Sequence, residues 1–323
     1  MHIEGYTHRQ GRRPGTGALW NLSRFHGWGL DEPTCLGLGS GLGFSYRETA
    51  DRPGRALTGR TPFLEWALLD RLGVGVAADE GGEWEHAWGW TADHLAAGRP
   101  VLLFADRGRL EYHPADVGVT PHPVLVVGHD EGTVHVSDAD RPDVERVPVE
   151  MLEAATASPD LPGRHRRLAV TDPSPGVEPD AVAGEAIEAT ATFMLQPAVS
   201  PYDPGEGAHG LGGMQHLVAT TAEWSSLPAP RATARAAARE IRGREGDGAA
   251  YRDLWRVFLA SADHPYDAIT EGMDDVVAAW QEVADALARA GEEGSDFGRH
   301  LDDAAAGLSD LADSEARLYT TAG

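Results

Sequence analysis

Apolar positions along the first 100 residues recur at helical spacing. Residues 18–26, ALWNLSRFH, follow that period and stop at Gly27, which predicts a short buried helix. Residues 62–72, PFLEWALLDRL, predict a second, with Pro62 in its first turn. Residues 91–97 predict a third, ended by Gly98. Between the first two lie a glycine-rich run, LGLGSGLGF, and a turn-rich loop through Pro53 and Gly54. The period then changes. Residues 100–105, PVLLFA, read as a buried strand, and residues 124–127 and 134–136 as a hairpin around Asp-Glu-Gly. Helices before sheet, without βαβ alternation, predict an α+β fold. The segment TDPSPGVEPD at 171–180 reads as a linker, and the sequence beyond it is nearly all helical, with leucines and tryptophans marking one face of each helix. The expected division is a mixed domain at 1–172 and a helical domain at 173–323.

Composition narrows the function. The chain has 323 residues and a formal net charge of -24, and all its fixed positive charges are arginines, because it has no lysine. Such an acidic chain argues against nucleic acid as a partner. One cysteine excludes an internal disulfide, and the absence of a hydrophobic leader or spanning segment predicts a cytoplasmic protein away from membranes. Arginines gather at Arg9, Arg12 and Arg13, at Arg164, Arg166 and Arg167, and from Arg231 to Arg244. They are either solvated surface charges or a landing place for an acidic partner.

The hairpin carries the candidate chemistry. His122, Val124 and Val126 share one strand face; Val134, Val136 and Asp138 share one on the next. Counting back from the turn places His122 opposite residues 138–141. An imidazole beside a carboxylate is an oriented general base; the same pair also reads as a structural strand-end histidine with turn aspartates. Cys35 reads as a small core residue. The GLGSGLG run lacks the spacing of a phosphate loop, so its glycines serve close backbone approach, and Gly39, Ser40, Gly41 and Phe44 are candidate substrate-binding positions. His86, His94, His113, His129 and His135 show no metal-ligand spacing, and no metal is expected.

The strings NLSRFHG, LGLGSGLGFSY, GRPVLLFADRGRLEYHP, HPVLVVGHD and VSDAD together resemble the N-terminal domain of the butirosin side-chain acyltransferase family. GLGGMQHLVATTAEW and IRGREGDGAAYRDLWRVFLASA resemble the helical domain that follows it. The resemblance implies a papain-like, cysteine-peptidase-like first domain that moves an acyl group from a carrier-protein thioester to an aminoglycoside amine. It implies His122 as the base, Asp138 as its orienting acid, and Asp106 and Tyr112 as the aspartate and aromatic of the central strand. The family's His-Cys pair falls on Arg13-Pro14, so the usual nucleophile is missing, and Thr16 is the nearest hydroxyl. The expectation is an N-acyltransferase that joins a carrier-bound acyl or aminoacyl group to an aminosugar, as in lincosamide assembly, by direct attack with His122 as base. It would need no cofactor beyond the carrier's phosphopantetheine arm, and a homodimer is compatible with it. The alternatives are a non-catalytic binding protein and a hydrolase using Cys35 or Thr16.

Overall fold

A computed structural model describes residues 2–48, 54–114, 121–200 and 205–321. In chain order the elements are α1 (Pro14–His26), α2 (Glu32–Leu38), β1 (Leu42–Glu48), β2 (Arg55–Arg60), α3 (Leu64–Leu72), β3 (Gly75–Asp79), α4 (Trp84–Ala96) and β4 (Val101–Asp106). They continue with β5 (Pro121–Asp130), β6 (Thr133–Ser137), β7 (Glu145–Pro148), α5 (Val149–Thr156), β8 (Arg167–Asp172) and α6 (Ala183–Leu195). The last are β9 (Ala208–His209), α7 (Gly210–Thr220), α8 (Pro230–Arg242), α9 (Arg252–Ser261), α10 (Asp267–Gly291) and α11 (Phe297–Tyr319). The expected loop through Pro53 falls outside the described residues, apart from Gly54.

The chain forms two compact units, Met1–Cys35 with Leu69–Val177, and Leu36–Leu68 with Glu178–Gly323. A single boundary between 172 and 173 therefore has to be corrected. The reason is long-range pairing: β1 sits between β2 and β9 in a three-stranded antiparallel sheet, with Ser45 opposite His209. That pairing draws the glycine-rich run and both strands after it into the unit built mainly from the second half of the chain.

In the first unit helices lie on a six-stranded antiparallel sheet ordered β3-β8-β4-β5-β6-β7. β4 and most of β5 are buried along their length, as their continuous apolar runs require. Helix α1 packs on β5. It begins at Pro14, four residues earlier than the apolar period suggests, because proline's fixed φ suits a first helical position, and it ends on Gly27 at φ 76. A Cβ on Gly17 would lie 2.5 Å from the Ala139 Cβ, so glycine there lets α1 approach the loop after β6. Likewise α4 starts at Trp84 rather than Thr91, with Trp84, Ala87 and Trp88 carrying its apolar spacing back by two turns.

In the second unit α10 packs on α11 and α8, and Trp224, Trp255, Trp280 and Phe258 fill the core. Its centre also holds a buried ion pair. Arg252 donates from Nε and Nη2 to the Glu315 carboxylate at 2.9 and 2.7 Å, and from Nη1 to the Gly43 carbonyl at 2.7 Å. Glu315 also accepts from the Trp280 indole at 2.7 Å. Arg252 thus fastens β1 to α11 within this unit.

Candidate active site

β5 and β6 pair antiparallel, with Leu125 opposite Ser137 and Val126 opposite Val136. Extending that register by one residue brings Asp138 beside the start of β5, where His122 sits opposite Ala105 of β4. His122 Nε2 and Asp138 Oδ2 are 2.7 Å apart, both side chains buried. The hairpin parity expected from the sequence therefore holds.

Asp138 has more partners than the sequence suggested. Its Oδ2 also accepts from His113 Nε2 at 2.8 Å and from the Tyr112 hydroxyl at 3.1 Å, while Oδ1 accepts from the Asp140 backbone N–H at 2.9 Å. Burial alone would raise the Asp138 pKa, but the His122 charge and the two ring hydrogen bonds outweigh it and hold the carboxyl well below its usual range. Burial, followed by the Asp138 charge, pushes the Tyr112 phenol far above its ordinary value, so it remains an O–H donor. Burial lowers the His113 pKa, against the opposing pull of Asp138.

The protons follow from the donors. Arg107 Nε, which can only donate, faces His113 Nδ1 at 3.4 Å, so that nitrogen carries a lone pair and the His113 proton sits on Nε2, directed at Asp138. Arg107 is held by Asp140 at 2.8 Å. His122 likewise presents Nε2–H to Asp138, which leaves Nδ1 as its basic nitrogen. A buried carboxylate with two imidazoles and a phenol on it is an oriented base assembly.

The ligand atoms of His113, His122 and Asp138 lie within 4.8 Å of one another, the one such group of three among the described residues. No pattern along the chain singled out His113, and its spacing was no guide. Yet the carboxylate oxygen stands at hydrogen-bond distance from both ring nitrogens, whereas ligands of a tetrahedral zinc lie about 3.3 Å apart for metal bonds of about 2.0–2.1 Å. A metal on His113 Nε2 would also put its remaining proton on Nδ1, against the Arg107 N–H. The donor set fits a hydrogen-bonded cluster better than a metal centre.

The other expected positions fare differently. Tyr112 joins the cluster. Thr16 is fully buried and donates to Glu32 Oε1 at 2.6 Å; the same carboxylate accepts the Arg12 and Arg13 backbone N–H groups at 2.8 Å each. Its hydroxyl thus helps to anchor the start of α1. Asp106 is also structural, accepting from the Gly108 N–H, Arg109 Nε and Ser158 Oγ at 3.0, 3.1 and 2.7 Å. Gly39, Ser40, Gly41 and Phe44 belong to the second unit and are buried. There Ser40 donates to the Ala186 carbonyl at 3.1 Å, a Cβ on Gly41 would meet Leu64 at 2.5 Å, and Phe44 packs by Trp280. Close packing within the second unit accounts for the last three. Cys35 is fully buried, and burial, then the Glu32 and Asp31 charges, push its thiol up.

Sequence reasoning missed Arg107 and His113, which a turn after β4 brings in, and the segment ahead of α1. In that segment Tyr6 and His8 meet the Ser137 hydroxyl at 2.6 and 2.8 Å, His8 Nε2 reaches the Arg141 carbonyl at 2.9 Å, and Gln10 the Asp140 carbonyl at 3.0 Å. These contacts fix the loop that carries Asp138. The one available signal was the density of histidine and tyrosine near the hairpin.

Several of the clustered arginines are engaged within the fold. Arg231 donates to the Ala290 and Glu292 carbonyls, Arg235 to the Gly291 carbonyl, and Arg242 to Asp285, all at the last turns of α10. Arg167 is fully buried on Asp79.

Residues 13–139 match the family described as butirosin biosynthesis protein H, N-terminal, and residues 150–322 match a domain of unknown function, DUF4872. No curated protein sequence matches the chain. Among solved structures, a C39-like peptidase from Bacillus anthracis is similar at 14% identity and a TM-score of 0.38, over 53% of this chain and 96% of that one.

Proposed function

The chain belongs to the butirosin biosynthesis protein H family, and on that footing we propose that it is an amide-forming acyltransferase of antibiotic biosynthesis that works without an acyl-enzyme. The observation that carries the reading is the His122–Asp138 pair, which holds the imidazole proton on Nε2 and leaves Nδ1 basic. The acyl donor is a carrier-protein thioester on a phosphopantetheine arm, and the acceptor is the amine of an aminosugar, a lincosamide-type sugar being one instance. The amine attacks the thioester carbonyl and forms the C–N bond. His122 Nδ1 takes the amine proton, backbone N–H groups meet the oxyanion, and the intermediate collapses with loss of the C–S bond. His122 then returns the proton to the departing sulfur. A thioester is already activated, so a positioned base, worth about 10²–10⁴-fold, and proximity suffice without a nucleophilic side chain.

The burial of Cys35 and Thr16 supports direct transfer: one is a buried thiol held protonated, the other a hydroxyl with no exposed surface. Enclosure of the base, whose ring is 2% exposed, favours a second reading, a binding protein that kept the fold without the reaction. Turnover with a carrier-bound acyl group and an amine separates the two. The acyltransferase releases amide while intact-protein mass spectrometry of the quenched reaction shows unmodified chain. A kinetically competent acyl adduct would overturn direct transfer, and tight carrier binding with no amide would establish the binding protein.

A further inference from the structure

The second imidazole on Asp138 has no part in the transfer as derived. Its Nδ1 faces Arg107 rather than open space, and its Nε2–H points at the oxygen that His122 uses. The rings of His113 and His122 meet edge to face, centroids 4.9 Å apart. We propose that His113 is a positioning residue that shares the Asp138 carboxylate with His122 and thereby lowers the affinity of His122 for a proton.

The argument is electrostatic. A lone Asp–His pair lets the carboxylate direct its full charge at the imidazole and so favours imidazolium. Here Oδ2 serves three donors and Oδ1 a fourth, which draws electron density away from the His122 contact. The positive end of the His113 N–H dipole also stands close to His122 Nε2. Both effects oppose a proton on His122 Nδ1, the atom that has to take one from an amine. The groups facing the pair are Asp138 from the exit of β6, Tyr112 from the loop after β4, and Arg107 from the turn before it. Behind them stand Asp140, which holds Arg107, and Arg141, which lies over the Tyr112 ring and is held by Glu145. Arg107 fixes His113 as a donor; with the opposite tautomer it would accept nothing from Arg107 and offer nothing to Asp138.

The catalytic consequence rests on the reading of His122 as base, but the proton affinity itself is measured without turnover. NMR titration of histidine-labelled protein reads His122 in wild type, His113→Phe, His113→Gln and Tyr112→Phe. Loss of the imidazole donor in His113→Phe should raise the His122 pKa by about one unit, a tenfold change in proton affinity. Glutamine, whose amide N–H can reach the same oxygen, should restore most of the wild-type value. Tyr112→Phe removes a different donor from that oxygen and should shift His122 in the same direction by less, which keeps the test open if His113→Phe fails to fold. A His122 pKa unchanged within about 0.2 unit in the folded variants overturns the proposal. So does a rise that glutamine leaves in place, since that is a packing effect. In an active enzyme the acid limb of kcat/KM should move with the NMR value. A shift with no amide formed leaves this proposal standing and removes the proposed function; amide formed with no shift does the reverse.

Discussion

A buried carboxylate survives in a protein interior only when donors replace the water it has lost, and Asp138 has four. The consequence for stability has a definite sign. A carboxyl held below its usual pKa in the folded state contributes stability above its unfolded value, 3.8, and loses it as pH falls through that range. His113, lowered by burial, acts in the same sense from 6.5 downward, because the unfolded chain takes up its proton first. Denaturant unfolding of wild type and Asp138→Asn should therefore show a stability gap that is wide at pH 7 and narrows as pH falls below about 4. A gap independent of pH would mean that the native carboxyl is not held ionised. At the same scale, full burial is what argues against Thr16 as a substitute nucleophile: its hydroxyl is 0% exposed and sits on Glu32 at 2.6 Å.

At the scale of elements, period was informative and tertiary recruitment was not. The His122–Asp138 pair was legible because a strand repeats every two residues and a short turn fixes the register. His113 was not, because it lies in an aperiodic stretch that a turn after β4 folds back over the hairpin. The long helices were legible from their apolar faces, whereas β1 was not, since one of its partners, β9, lies far along the chain. What fastens β1 is Arg252, fully buried against Glu315, and such a pair costs more to break than it contributes. Arg252→Met should leave an uncompensated carboxylate and lower stability by about 3–5 kcal/mol, read as a fall in denaturation midpoint. The double variant Arg252→Met/Glu315→Leu should recover much of that loss. If the single variant unfolds like wild type, the pair is not holding the unit together. The arginines of α8 also belong here: Arg231 and Arg235 satisfy carbonyls at the C-terminal end of α10, where positive charge is favoured. Charge reversal there should damage the fold before it alters docking of a carrier protein, which weakens that cluster as the landing place.

For the whole molecule, the net charge of -24 makes the approach of an acidic carrier unfavourable at low salt, so association through charge alone is a poor account of how a thioester would arrive. Among the described residues no helix is long and apolar enough to cross a membrane. The family match supports a role in antibiotic biosynthesis, and the proposed direct transfer takes its route from the Arg13-Pro14 pair ahead of α1. The proposed function makes the buried His122 its base, and the account depends on it. The most direct test is the single-turnover rate of amide formation from a carrier thioester and its amine by His122→Ala against wild type, with circular dichroism confirming the fold. The account predicts a loss of at least about 10²-fold. A folded His122→Ala protein that forms amide at the wild-type rate would contradict it.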